Sequence, residues 1–137
     1  MKLIPVKEYP SHHVAQVLYE LLKVRAPEEN ISHRIMPTWT DHVNFITSNP
    51  YEAWYLIEKD PSEYLGTIYL TRNNEIGINL FPKYRGMGYG PQAITKIMEL
   101  KGKRRYLANI NPKNERSKKM FEKLGFVHIQ NTYELKI

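Results

Sequence analysis

The stretch Arg85-Gly86-Met87-Gly88-Tyr89-Gly90 follows an apolar run, Ile76 to Phe81, and opens a segment in which Ala93, Ile94, Ile97 and Met98 recur at helical spacing. A strand, a glycine-rich turn and a helix are expected in that order. Glycine lets the backbone turn left-handed and approach a ligand closely, and the free N–H groups at a helix start carry partial positive charge. Together they suit a phosphate, and a pyrophosphate would fit. The same residues also serve a plain tight turn. The spacing is Gly-x-Gly-x-Gly rather than the Gly-x-Gly-x-x-Gly of dinucleotide folds, and no Gly-Lys-Ser or Gly-Lys-Thr is present, so nicotinamide-binding and P-loop readings fail.

Working outward, Pro82 closes the strand before the loop, and Tyr106 to Ile110 reads as a further strand closed by Pro112. Proline cannot donate to a ladder, so if these strands are neighbours they should part there and leave a wedge-shaped slot above the helix start. Such a slot suits a long thin ligand with a phosphorylated end. Upstream, Ala53 to Ile57, Tyr64 to Leu70 and Ile76 to Phe81 are aromatic and aliphatic runs separated by Asp60-Pro61 and Asn73-Asn74, which predicts three antiparallel strands joined by hairpins.

Downstream, Asn114 caps a helix with Met120, Phe121 and Leu124 on its apolar side; Gly125 stands where a left-handed residue ends a helix, with Phe126 behind it. Val127 to Ile129 and Tyr133 to Ile137, around Gln130-Asn131-Thr132, read as a closing pair of strands. At the other end, Leu3 to Val6 is a first strand. Ser11 caps a helix carrying Val14, Val17, Leu18, Leu21 and Leu22 that ends at Pro27. Thr38-Trp39-Thr40-Asp41 has capping-box spacing for a short helix closed by Asn49-Pro50. The order is β-α-α-β-β-β-α-β-α-β-β, an α/β (α+β) plan with a mixed, mostly antiparallel central sheet flanked by helices.

At 137 residues and 42% apolar content, the chain has the size of one domain, taken as 1–137, and can bury a core without staples. It has no cysteine, which excludes disulfides, thiolate metal sites and cysteine nucleophiles and fits a reducing cytoplasm. His12 and His13 are adjacent and His33, His42 and His128 scattered, so no metal is expected. Charges interrupt the first residues before a leader-length apolar region accumulates, and no run approaches the roughly 18 residues of a membrane span. Twenty Lys+Arg against 14 Asp+Glu give a net charge of +6, a basic surface that draws anionic partners. The positives gather at Lys101 to Arg105 and at Lys113 to Lys123, as on solvated helix faces, with no recognised nucleic-acid motif beside them.

Arg85, Gly88 and Gly90 meet the pattern Arg/Gln-x-x-Gly-x-Gly/Ala at a strand-to-helix junction, and Asn114 to Phe126 (NERSKKMFEKLGF) supplies a second hallmark. On these residues, and on the order of elements, the sequence resembles the GNAT superfamily of acetyl-coenzyme A dependent N-acetyltransferases. The first 50 residues agree only in plan. The resemblance implies acetyl-coenzyme A as co-substrate. Backbone groups of Leu80 and Phe81 would pair with the pantetheine arm, one N–H stabilising the oxyanion, while Gly86, Met87, Gly88, Tyr89 and Gly90 would offer amides to the pyrophosphate. Arg85 would support the loop or reach phosphate. Asn111 or Asn114 would bind the pantetheine amides, Asn114 alternatively serving only as a cap, and Lys118 would face the 3′-phosphate or solvent. Pro91 removes one N–H from the cradle.

A lysine-like acceptor amine of pKa about 10.4 is mostly protonated at neutrality, and freeing it costs roughly 4–5 kcal/mol, so a base or water relay is needed. By the resemblance Glu75 is the first candidate, with His33, Asp41 and Glu52 as further polar groups. The leaving thiolate, with a thiol pKa near 8.5, needs little acid help. Where many family members carry a tyrosine acid beside the cofactor, this chain has Phe121; Tyr89 and Tyr133 are weak substitutes. The resemblance thus implies acetyl transfer by direct attack of a primary amine on a small molecule or protein: a peptide N-terminus, a ribosomal protein, an aminosugar or a small polyamine. A non-catalytic acyl-coenzyme A binding module and a basic nucleic-acid-binding domain are the alternative readings. No membrane partner is expected, and exposed closing strands would let two copies pair as a homodimer.

Overall fold

The apolar runs after Ala53 form a meander, and a fourth strand joins its edge. In the computed structural model, which describes residues 1–8, 12–25 and 35–137, β1 (Lys2–Pro5), β2 (Ala53–Asp60), β3 (Glu63–Leu70) and β4 (Ile76–Leu80) make one antiparallel sheet in that order. Ser11, Pro27 and His33 lie outside the described residues. The β3–β4 turn is closed by Thr71: its hydroxyl accepts from the N–H groups of Asn73 (3.2 Å) and Glu75 (3.1 Å), with Asn74 left-handed at φ 63°. Register is regular through β3 and β4, where Thr67 faces Asn79 and Gly66 faces Leu80. At Gly66 only hydrogen fits, because a Cβ would stand 2.1 Å from the Asn79 carbonyl oxygen.

Alternation along the strands divides two cores. One packs Ile57, Ile68, Leu70 and Ile76 against Ala93, Ile94 and Ile97 of α3 (Tyr89–Lys101) and Phe121 of α4 (Glu115–Lys123). The other packs Leu56 against Val14, Leu18 and Leu21 of α1 (His12–Lys23), with Ile46 of α2 (Trp39–Thr47) beside it. The sheet is therefore covered on both faces, α3 and α4 on one, α1 and α2 on the other.

Helix ends follow their sequence signals. Thr38 Oγ1 accepts from Asp41 N–H (3.2 Å) and Asn114 Oδ1 from Ser117 N–H (3.1 Å), each satisfying an orphan donor of a first turn. Helix α4 ends on Gly125 at φ 98°; Gly125 N–H donates to Glu122 O and Phe126 N–H to Phe121 O, both at 3.0 Å, and the Phe121 and Phe126 rings meet at 5.0 Å.

Two expected strand regions differ. Tyr106 to Ile110 forms no strand: it makes a single parallel bridge, Leu107 opposite Glu75, with Leu107 N–H donating to Asn74 O and Ile76 N–H to Leu107 O, both at 2.8 Å. Beyond that point the chains diverge and no ladder can form. Val127 to Ile137 forms no closing pair either. The segment runs without a turn through Gln130-Asn131-Thr132 and makes no backbone–backbone hydrogen bond among the described residues, the Gln130 carbonyl bonding only the His128 ring (2.6 Å), so the hairpin lacks its corner.

Candidate active site

Adjacent residues of a strand offer their backbone groups to opposite neighbours. In β4 the bonds Thr71 N–H to Glu75 O and Phe81 N–H to Leu65 O, each 2.9 Å, assign Glu75, Gly77, Asn79 and Phe81 to the β3 side. Ile76, Ile78 and Leu80 therefore point the other way. Ile76 is satisfied by Leu107, but past that bridge the N–H groups of Ile78 and Leu80 meet no backbone acceptor among the described residues. The sheet has opened into a cleft of ≈ 1560 Å³ between β4 and residues 109–111, with Met120, Phe121 and Leu124 of α4 along its wall. Parting begins at Ile76 and Leu107, well before Pro82 and Pro112, so divergence of the chains rather than missing proline donors starts it. Of the pair expected to face the ligand, Leu80 keeps a free N–H whereas that of Phe81 is committed to β3. Ile78 takes its place, a residue that the β4 alternation would have identified.

The glycine loop closes one end of the cleft. Gly86 (φ 77°) and Gly88 (φ 84°) are left-handed, and a Cβ at either would meet nothing within 4 Å. Gly88 is the N-cap of α3. The N–H groups of Gly86, Met87 and Gly88 reach no backbone carbonyl among the described residues, and those of Tyr89 and Gly90 belong to the first turn, which has no intrahelical acceptors. Gly90 has a packing reason too, since a Cβ there would stand 2.8 Å from Met120 Sδ of α4. Arg85 Nε donates to Leu80 O at 3.1 Å, which takes up that carbonyl and ties the loop to the end of β4.

The other expected cofactor residues are divided. Asn111 and Asn114 line the cleft, but Asn111 Oδ1 accepts from Lys113 N–H (2.9 Å) and Asn114 Oδ1 serves as the α4 cap. Phe121 lines it, 4% exposed. Lys118 pairs with Glu115 (3.5 Å) away from the lining; Arg116, Lys119 and Lys123 of the same helix line the cleft instead. The sequence assigns that basic cluster to solvated helix faces, whereas these three side chains face the cleft. Tyr89 packs edge-on against Tyr84, and Tyr133 is 90% exposed outside the lining.

On the α1–α2 face the cleft is made of side chains. Glu75 stands where the sheet opens, Oε1 accepting from Thr71 Oγ1 (3.0 Å) and Oε2 from Asn109 Nδ2 (2.5 Å). Tyr69 lies over Gly77, where a Cβ would be 2.0 Å from its ring, and Tyr51 stacks on Tyr69 at 4.0 Å and 9°. Trp54 meets Tyr51 edge-on at 5.0 Å and donates through Nε1 to Thr67 Oγ1 at 2.9 Å. Asp41 lines this side, whereas Glu52 is ion-paired with Lys103 (3.1 Å) outside the lining. His42 is buried, and its Nε2 carries a proton to donate to Ala15 O (2.8 Å). Among the described residues no cluster of His, Cys, Asp or Glu is arranged to hold a metal, and no helix is long and apolar enough to cross a membrane.

The comparisons with known proteins agree with this geometry. The family model described as an acetyltransferase (GNAT) domain matches residues 10–127. Among solved structures, a spermidine N-acetyltransferase chimera involving Vibrio cholerae is similar at 13% identity and TM-score 0.73, over 95% of this chain and 84% of that one. An acetyltransferase from Thermus thermophilus aligns at 20% identity and TM-score 0.74, over 95% and 88% of the two chains. An aminoglycoside 6′-N-acetyltransferase from Acinetobacter haemolyticus aligns at 14% identity and TM-score 0.69, over 100% and 98%. At these identities the likeness is one of fold. No curated protein sequence matches significantly.

Proposed function

The chain belongs to the GNAT acetyltransferase family, and from that premise we propose that it moves acetyl from acetyl-coenzyme A to a primary amine by direct attack. The observation that carries this reading is the opened strand: the free N–H groups of Ile78 and Leu80 run along a cleft that ends at Gly86, Gly88 and Gly90, whose amides meet no backbone acceptor among the described residues, while Met87 and Tyr89 of the same loop lie outside the lining. A long, amide-bearing arm with a pyrophosphate at one end matches that row of donors. Gly86 and Gly88 leave the room that a Cβ would fill, and Arg116 and Lys119 add positive charge.

Bound there, acetyl-coenzyme A supplies an acyl group activated as a thioester. Leu80 and Ile78 offer fixed N–H groups where negative charge develops on an acyl oxygen, and fixed donors need no reorganisation at that moment. Glu75 receives the proton that the acceptor nitrogen must lose, directly or through water; Thr71 and Asn109 set its orientation. The aromatic floor of Tyr51, Trp54 and Tyr69 bounds the acceptor, which we assign to the primary amines of small molecules or proteins. A non-catalytic acyl-coenzyme A binding module would share the loop, but a carboxylate held at the mouth of the opened strand favours catalysis. A cysteine-free chain suits a reducing cytoplasm.

Titration calorimetry with acetyl-coenzyme A, against NADH and a short RNA, followed by a thiol-release screen of primary amines, tests the proposal. Selective micromolar binding with turnover of at least one amine is expected. A folded protein that ignores acetyl-coenzyme A would end it.

A further inference from the structure

On the acceptor side of the cleft, Tyr51, Trp54 and Tyr69 are half-buried, and each ring is fixed by a separate device. Gly77 leaves Tyr69 the room to lie against β4, since a Cβ there would meet the ring at 2.0 Å. The Trp54 indole donates to Thr67, whose hydroxyl donates onward to Tyr55 O at 2.8 Å. Tyr51 is held through its neighbours: Arg72 donates to Asn49 O (2.8 Å) and Pro50 O (2.9 Å), and the Glu52–Lys103 pair ties the residue that follows. Rings fixed in advance lose little freedom when a ligand arrives, so binding against them costs less.

Shape and charge narrow what fits. Tyr51 stacks flat on Tyr69, while Phe45, 45% exposed, and Trp54 meet Tyr51 edge-on at 5.8 and 5.0 Å. A flat pair with two edges beside it forms a corner that takes another planar ring by face or by edge. Leu22 and Met36 extend the apolar wall. Among the described residues, six Lys or Arg line the cleft against two carboxylates, Asp41 and Glu75. With Glu75 engaged by the reacting amine, Asp41 alone is left for a second ammonium, and a polycation meets net repulsion. Glu75 and Gly77 lie two positions apart on one extended chain and share a face, so an amine nitrogen at Glu75 stands roughly 6.6 Å from the rings, the reach of a linker of about two or three carbons.

Resting on the acetyl-transfer reading above, we propose that this corner selects an arylalkyl monoamine as acceptor, a primary amine on a short linker whose planar ring packs against Tyr51, Trp54 and Phe45. The nitrogen forms an amide bond to the acetyl carbon as the C–S bond breaks. Its proton passes to Glu75, and the thiolate leaves with the electron pair and takes up a proton from solvent.

Two readouts on the full chain test the assignment. In thiol-release assays with acetyl-coenzyme A, phenethylamine should exceed both n-butylamine and spermidine in kcat/KM by at least about tenfold. In proton–nitrogen correlation spectra, phenethylamine should shift the Trp54 indole N–H signal through its ring current, and n-butylamine should not. Tyr51→Leu keeps apolar bulk without a flat ring, and the preference for phenethylamine over n-butylamine should fall about fivefold. A merely structural defect would lower both rates together and leave their ratio in place. Should that variant unfold, the wild-type ratio and the Trp54 shift still decide. A chain that shifts its Trp54 signal with phenethylamine but ignores acetyl-coenzyme A would support the ring site and overturn acetyl transfer. A chain that binds acetyl-coenzyme A yet acetylates spermidine or n-butylamine as readily as phenethylamine, or whose Trp54 signal stays still, would overturn the ring site and leave acetyl transfer standing.

Discussion

On the side of the sheet covered by α3 and α4, the neutral hydrogen-bond donors of the cleft are mainly backbone, the N–H groups of Ile78, Leu80, Gly86, Gly88 and Gly90, beside the apolar and basic side chains of α4. On the side covered by α1 and α2 the groups turned into the cleft are side chains: Glu75 on its two donors, Tyr69 over Gly77, and Tyr51 and Trp54 beyond. A backbone surface constrains sequence only where a Cβ cannot be tolerated or a φ must be positive. A side-chain surface changes with every substitution. One sheet can thus keep a single acyl donor while its other face is refitted to different amines.

The largest effect should come from the backbone side. Gly88→Glu places bulk and like charge in the cradle, and acetyl-coenzyme A affinity should fall at least a hundredfold, about 2.7 kcal/mol. Its left-handed strain, about 1–2 kcal/mol, lowers Tm without unfolding the protein. Gly88→Ala carries the same strain but no charge and should retain binding within about tenfold, or roughly 1.4 kcal/mol. Calorimetry on the pair separates strain from occlusion, and normal binding by Gly88→Glu would remove the loop from the site. On the side-chain face, Glu75→Gln should cut kcat on the order of a hundredfold at neutral pH while leaving the Kd for acetyl-coenzyme A unchanged. The loss should shrink as pH approaches the amine pKa of about 10.4, where the acceptor loses its proton unaided. A loss equal at every pH would mean that Glu75 is not the base.

The same contrast explains what the sequence made legible. Glycines at 86, 88 and 125, the caps Thr38 and Asn114, and the alternating runs from Ala53 to Phe81 are local rules, and the structure obeys them. Gly66 was missed because its reason is the nearby Asn79 carbonyl on another strand, a contact that no local pattern encodes. Ile78 was missed for want of one bond: once Phe81 is seen donating to Leu65, alternation hands the cleft to Ile78 and Leu80. The aromatic floor is harder still. Tyr51, Trp54 and Tyr69 come from a loop and two strands, and each alone reads as a strand or core residue. The closing hairpin failed because Gln130-Asn131-Thr132, polar residues that suit a turn, make none here.

A smaller effect should mark the acceptor face. Tyr51→Ala removes one ring of the stack on Tyr69, an interaction worth about 0.5–1.5 kcal/mol, and should raise the acceptor KM by roughly two- to tenfold. Binding of acetyl-coenzyme A should not move. If both constants rise together, the two faces are coupled through β4 and their division of labour is less complete than the geometry indicates.

The smallest effect should come from Phe121→Tyr, which introduces a hydroxyl where the cleft wall is apolar. Phe121 is 4% exposed and lies against Phe126, so a new hydroxyl gains only what the cleft offers it, and stability should fall by about 1 kcal/mol or more if it finds no partner. The leaving thiol has an ordinary pKa near 8.5, within about one to one and a half units of neutral working pH, so protonating it offers at most roughly 2 kcal/mol. If fixed N–H groups rather than an acid dominate this side, kcat should change by less than about threefold, or roughly 0.7 kcal/mol. A pH–rate profile of the variant tests this directly. A rise of a hundredfold, with a new alkaline limb, would show that one side chain governs the rate on the face otherwise run by backbone, and the contrast between the two halves would have to be redrawn.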